Sequence, residues 1–250
     1  MVDAARPRLE ARDVSMRFGG VVALEDVSVA ARAGEVTCLL GDNGAGKSTL
    51  IKILAGVHPP TRGACLLDGE SVRFRSPVEA LSRGIATVYQ DLAMVPLMSV
   101  WRNFYLGSEP VLGRGPLRRI DVRTCRRQAL SELSAMGIEL RDVDQPVGSL
   151  SGGERQAVAI ARALHFGARV LLLDEPTAAL GVRQSNLVLD KVRRAAERGV
   201  AVILVTHNPH HAHPIGARFV VLRRGRVIAK GSRESLTVEA LARLMSGETT

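Results

Sequence analysis

Gly41, Gly46, Lys47 and Ser48 stand in the pattern G-x-x-x-x-G-K-S within 41-GDNGAGKST-49, directly after the apolar run 36-VTCLL-40. A buried strand leading through glycines into a helix lets successive backbone N–H groups converge on one anion, with the helix dipole adding positive potential. In that setting Lys47 reaches the outer phosphates of a nucleotide, and the Ser48 hydroxyl is a Mg²⁺ ligand. A second element, 170-VLLLDEP-176, places two adjacent acids at the end of another buried strand. Asp174 is the expected metal carboxylate, and Glu175 the group that orients or deprotonates an attacking water. A third apolar run, 200-VAVILVT-206, delivers His207, which can hydrogen-bond a terminal phosphate. Gln90, at the end of 85-IATVYQ-90, is a further candidate contact to Mg²⁺ or water. His210, His211 and His213 raise a separate possibility of a metal site, although no second ligand cluster accompanies them.

A second glycine pair opens 150-LSGGERQ-156 and runs into AVAIARAL. Ser151 is a good helix cap, and Gly152 and Gly153 allow close approach to exposed N–H groups, so this too reads as an anion-binding helix start. A single chain does not readily aim two such starts at one phosphate from opposite sides. Two chains related by a two-fold axis do.

The elements that must position these residues alternate along the chain. Near 9–18 and 22–29 the polar/apolar alternation predicts a half-exposed antiparallel pair. Continuous apolar runs at 36–40, 169–174 and 200–206 predict strands buried on both faces. Ser76-Pro77 opens a short helix, a helix begins at Asp121 with Cys125, Ala129, Leu133 and Met136 on one stripe, and Arg224-Gly225 turns a hairpin. Strand patterns disappear from about 91 to 147, which reads as a helical subdomain inserted into an α/β core.

Composition narrows the class. The 250 residues are 46% hydrophobic and 24% charged, as in a globular domain large enough for a sizeable core. Aromatics at 3% argue against a base-stacking platform, and no apolar run approaches a membrane span. The start, MVDAARPRLEARD, has no apolar core and is not expected to be a secretory signal. Three widely spaced cysteines suit reduced thiols. A net charge of +9 fits a nucleic-acid, membrane-surface or polyphosphate partner, or simply an arginine-rich surface.

In order and spacing, the phosphate loop, Gln90, LSGGERQ, LLLDEP and His207 resemble the nucleotide-binding subunit of ATP-binding cassette (ABC) transporters, over nearly the whole chain. The resemblance implies one ABC ATPase domain over 1–250: a P-loop NTPase core with a mostly parallel sheet, an N-terminal antiparallel β subdomain and the helical insert. It implies ATP and Mg²⁺, with Phe18 stacking on adenine and Gly41, Asn43, Gly44, Ala45, Gly46, Lys47, Ser48 and Thr49 forming the phosphate loop. Ser48, Gln90 and Asp174 are its metal residues, and Glu175, His207 and Gln90 its catalytic ones. Ser151, Gly152 and Gly153 then face the γ-phosphate held by a second ATPase subunit in a head-to-tail homodimer. The insert docks an integral membrane permease, which places the chain on the cytoplasmic face of the membrane and links it indirectly to an extracytoplasmic solute-binding protein.

Two positions depart from the family pattern. Glu154 replaces a common glutamine, and Gly181 in 177-TAALGV-182 replaces an aspartate that ties the two ATP sites together. TAALGV, 206-THNPHHA-212 and 88-VYQDLAMVPLMSVWRNFYLG-107 are similar to the importers of simple sugars such as ribose, xylose and fructose. Cassettes for other cargoes, and nucleic-acid-maintenance ATPases, are the competing readings. The latter fit poorly, because chromosome-maintenance relatives need a very long coiled coil between Gln90 and LSGGE.

Overall fold

The computed structural model describes residues 6–247, so the expected domain over 1–250 extends at both ends beyond the described residues. In chain order the elements are β1 (Leu9–Phe18), β2 (Val21–Ala31), β3 (Val36–Leu40), α1 (Lys47–Leu54), β4 (Arg62–Leu67), β5 (Glu70–Val72), α2 (Pro77–Ser82) and β6 (Ile85–Val88). Then come α3 (Val100–Tyr105), β7 (Val111–Leu112), β8 (Arg119–Ile120), α4 (Val122–Ala135), α5 (Gly152–His165) and β9 (Val170–Asp174). The chain closes with α6 (Val182–Glu197), β10 (Ala201–Thr206), α7 (Pro209–Ala212), β11 (Arg218–Arg223), β12 (Arg226–Ser232) and α8 (Val238–Ser246).

The central sheet has the order β12-β11-β3-β10-β9-β6. Its strands are parallel except for β12, which returns antiparallel from β11 through the Arg224-Gly225 turn. Every residue of β3, β9 and β10 is buried, which is why their sequences read as unbroken apolar runs. Successive residues still divide between faces: Leu171, Leu173, Val202 and Leu204 join the core beneath the helices. Leu172, Ile203 and Val205 join a second core against the N-terminal sheet. That smaller sheet is antiparallel, in the order β2-β1-β4-β5, and α1 is wedged between the two sheets through Leu50, Ile51, Ile53 and Leu54.

The insert is helical with one exception. A two-residue ribbon pairs Val111 with Ile120 and Leu112 with Arg119, where the sequence pattern shows no strand. So short a pair leaves no alternation to read. α4 starts where expected, with the Asp121 carboxylate accepting from Thr124 N at 3.0 Å, and it buries Cys125, Ala129 and Leu133. Asn103 of α3 is buried and knits the preceding loop to the helix. Its Nδ2 donates to the carbonyls of Val95, Met98 and Ser99, and its Oδ1 accepts from Val95 N. All three cysteines are buried. Burial pushes the Cys65 thiol up to about 11, which keeps it protonated.

Candidate active site

Parallel register decides where the reactive residues meet. Thr206 pairs with Leu40, Val205 with Asp174, and Val88 with Leu173, so β3, β6, β9 and β10 all end at one edge of the sheet. The residues that follow those ends are Gly41, Gln90, Glu175 and His207, and a ligand of an open α/β sheet binds outside such carboxyl ends.

The phosphate loop is shaped by its own neighbours. Gly41 and Gly46 have φ of 149° and 103°. A Cβ at Gly41 would lie 2.3 Å from the Leu222 carbonyl oxygen, and one at Gly46 would lie 2.7 Å from Leu24 Cδ2 and 2.8 Å from the Ala23 oxygen. Only glycine satisfies both demands. Gly46 is also the N-cap of α1 and offers no side-chain acceptor, leaving the first-turn N–H groups for an anion. Lys47 is buried, and its ammonium donates to the carbonyls of Gly41 at 2.6 Å and Asp42 at 3.0 Å. Ser48 Oγ donates to Asp174 Oδ1 at 3.2 Å, which ties the helix start to β9.

Glu175 follows with φ of 51°, a conformation that a side-chain-bearing residue adopts at a cost. Its N–H donates to the Val205 carbonyl at 3.0 Å. One carboxylate oxygen, Oε2, lies 3.0 Å from His207 Nδ1. The other, Oε1, lies 3.8 Å from Lys47 Nζ and is buried without a hydrogen-bond partner. A buried carboxylate oxygen lacking a donor is held ready for one, and a water molecule can supply it.

A cavity of about 420 Å³ opens here, lined by Asn43, Gly44, Gly46, Lys47, Ser48, Thr49, Gln90 and Glu175. Gly41 and Ala45 do not line it; the Ala45 carbonyl accepts from Gly225 N at 3.0 Å. Arg224 and Gly225 line the same cavity, a role not visible in the sequence, where they read only as a hairpin turn. They arrive because β11 lies beside β3. Phe18 does not line this cavity; it ends β1, is half exposed, and meets His58 edge-on with 5.6 Å between ring centres. Gln90 falls two residues beyond the end of β6 rather than within the strand.

Ser151, Gly152 and Gly153 do not line the phosphate cavity. Gly152 borders a neighbouring cavity of about 530 Å³, which Gln90 and Glu175 also line, between the insert and the segment 176–180. Ser151 and Glu154 form a capping box. Ser151 Oγ accepts from Glu154 N at 3.3 Å, and Glu154 Oε2 accepts from Ser151 N at 2.7 Å. The Ser151 proton is therefore left for another acceptor. The two glycines also have a role within the chain. A Cβ at Gly153 would lie 2.9 Å from Gln184 Cβ and 3.3 Å from its Cα, and one at Gly152 would lie 2.7 Å from Leu180 Cδ2.

The remaining histidines are used separately. His211 Nδ1 lies 3.0 Å from Thr177 Oγ1, and His213 stacks on Phe219 with 5.7 Å between centres. Burial first, then the nearby His207 and His210, hold His211 below its usual pKa. The stability this gives is full above the unfolded-state value and is lost as pH falls through the lowered folded one. No group of three His, Cys, Asp or Glu among the described residues is placed to hold a metal ion.

With this geometry in place, the comparisons with known proteins decide the family. The family model described as "ABC transporter" matches residues 24–178. The chain belongs to the ABC transporter family. It is the ATPase component, with the P-loop α/β architecture of its cassettes. It is 42% identical to a xylose/arabinose import ATP-binding protein of Sulfolobus acidocaldarius, over 95% of this chain and 93% of the relative. Identity to a fructose import ATP-binding protein of Rhizobium meliloti is 39%, over 98% and 95%. A ribose import ATP-binding protein of Streptomyces coelicolor is 44% identical over 96% of this chain, which spans about half, 47%, of that relative. Among solved structures, a dimeric bacterial ABC transporter cassette superposes with a TM-score of 0.75 at 27% identity, over 90% of this chain and 98% of that one. Another of the same scores is a post-hydrolysis state bound to ADP and Pi. No helix among the described residues is long and apolar enough to cross a membrane.

Proposed function

We propose that this cassette powers import of a monosaccharide as a head-to-tail homodimer beneath a membrane permease, on the cytoplasmic face, with an extracytoplasmic solute-binding protein as indirect partner. The observation that carries the hydrolytic part is Glu175: one oxygen lies against His207 and the other is buried, unpartnered and close to Lys47. Lys47 exchanges its two loop carbonyls for the β- and γ-phosphates of ATP, and the N–H groups at the start of α1 hold their remaining charge. Glu175 Oε1 accepts a proton from the attacking water, while His207 fixes the carboxylate's direction.

Ser48, Asp174 and Gln90 fit a Mg²⁺ site. The hydroxyl and carboxylate already sit 3.2 Å apart, and Gln90 lines the same cavity as Ser48. A bound Mg²⁺ supplies charge neutralisation at the phosphates. Phe18 at the end of β1 is the adenine contact in this reading. Ser151, through its free proton, and the N–H groups of Gly152 and Gly153 complete the partner's site. None of the three lines the phosphate cavity of its own chain, and Ser151 and Gly152 are partly exposed.

The sugar cargo rests on the relatives, three of which are named for import of xylose/arabinose, fructose or ribose. Glu175→Gln removes the proton acceptor and keeps the shape. We expect kcat to fall about 10²–10⁴-fold with ATP affinity retained, and the variant to elute as an ATP-dependent dimer in size-exclusion chromatography. A variant that hydrolyses normally sinks the role of Glu175, and one that stays monomeric with ATP sinks the dimer. Uptake of labelled xylose, ribose and fructose by cells expressing the transporter tests the cargo; wild-type levels with Lys47→Ala reject it.

A further inference from the structure

The strongest feature outside the nucleotide site is the β7–β8 ribbon with the start of α4. The segment 111–127 holds six arginines, Arg114, Arg118, Arg119, Arg123, Arg126 and Arg127, against one acid, Asp121. All six are exposed. Arg126 is committed to Asp144 at 2.7 Å and lies over the Trp101 ring. Among the described residues the other five have no carboxylate within salt-bridge distance. The two acids closest in sequence are taken up by backbone: Asp121 accepts from Thr124 N, and Glu109 from Gly107 N at 3.3 Å.

Exposed apolar side chains are interleaved with these arginines. Val111, Leu112 and Ile120 are each about half exposed, and Leu117 at the turn is 83% exposed. Val111 and Ile120 are directly paired across the ribbon and so share one face. Scattered single apolar residues are ordinary on a surface, but four within ten positions on a two-residue ribbon are not. The ribbon lines neither of the two cavities at the nucleotide site.

We infer that the β7–β8 ribbon is a membrane-surface contact that binds anionic lipid headgroups through its free arginines and seats Val111, Leu117 and Ile120 at the headgroup–acyl boundary. The composition is what such a boundary requires: cations for the negative surface, and apolar groups to enter just beneath it. Arginines and apolar side chains exposed together on so short a ribbon match a surface that offers both anionic headgroups and an apolar layer beneath them, which is why lipid is chosen over an acidic protein face. This inference goes beyond the transport reading and does not depend on it, since lipid binding is measured on the isolated chain.

The test is co-sedimentation of the full chain with two kinds of phosphatidylcholine vesicle, one plain and one made anionic with about 30% phosphatidylglycerol. Each is run at low salt and at about 0.5 M NaCl, where surface charges are screened, alongside R118E/R119E and L117D. We expect at least about tenfold tighter binding to the anionic vesicles at low salt, weakened by salt. The double reversal should lower it at least about twentyfold, since loss of the two positive charges alone costs about fivefold each near the surface. L117D should lower it several-fold, and both variants should keep wild-type ATP affinity, which shows that they are folded. Equal binding to both vesicle types overturns the proposal. So does anionic binding that both variants retain, which would assign it to the general charge of the chain. Binding of soluble polyglutamate that the double reversal abolishes, with no vesicle binding, would assign the ribbon to an acidic protein instead.

Discussion

The chain has two glycine-bearing helix starts that differ in how they are built. At α1 the cap is Gly46, no side chain closes the first turn, and the glycines press against backbone of β2 and β11, so the whole phosphate loop is shaped within one chain. At α5 the cap is Ser151, a carboxylate closes the box, and the glycines press against α6 and the loop before it. Lys47 is buried beside the first start, whereas Arg155 beside the second donates to the Leu150 carbonyl and borders the neighbouring cavity. The phosphate loop buries its cation within the loop itself. A half-site is instead a rigid set of donors mounted on neighbouring helices.

The largest expected effect falls on the first start. Gly46→Ala adds a Cβ at φ of 103° against Leu24 and the Ala23 carbonyl, so strain and overpacking together should cost about 3 kcal/mol. Loss of ATP binding by calorimetry and a lower Tm are the readouts; wild-type ATP affinity would show the loop to be less constrained than its contacts. The second start gives a sharper contrast. Gly153→Ala meets the Cβ and Cα of Gln184 and should destabilise by about 1–3 kcal/mol, whereas Gly152→Ala meets only the end of the Leu180 side chain and should cost less than about 1 kcal/mol. If both variants lose ATPase activity with unchanged Tm, the glycines serve a partner's phosphate alone. A Tm drop confined to Gly153→Ala assigns that residue to intrachain packing as well. The smallest effect is at Glu154. Glu154→Ala opens the capping box at about 1 kcal/mol, roughly 2–4 °C in Tm, while Glu154→Gln keeps the acceptor and should stay within about 0.5 kcal/mol. A Gln variant as unstable as the Ala variant would show that the negative charge, not the hydrogen bond, matters there.

Much of this was legible in residue order. Strands buried on both faces announce themselves as apolar runs, and parallel pairing then forces Gly41, Glu175 and His207 to one edge. Glu154, which departs from the family's usual glutamine, closes the capping box, as a glutamine there would also do. What the sequence hid were elements too short to carry a period and held by distant contacts. α3 has six residues and depends on the buried Asn103, and β7–β8 has two residues a strand. Arg224 and Gly225 were visible as a turn, but not as cavity lining, because nothing local says that β11 will lie beside β3. The adenine contact of Phe18 came from resemblance alone, and its ring meets His58 instead of the phosphate cavity.

The Lys47 ammonium rests on the carbonyls of Gly41 and Asp42. Those two hydrogen bonds hold the loop's shape from within the chain. Ordering that loop is thus charged to the folding of the chain and not to the capture of nucleotide. Part of the affinity is set by an exchange of partners at one ammonium group.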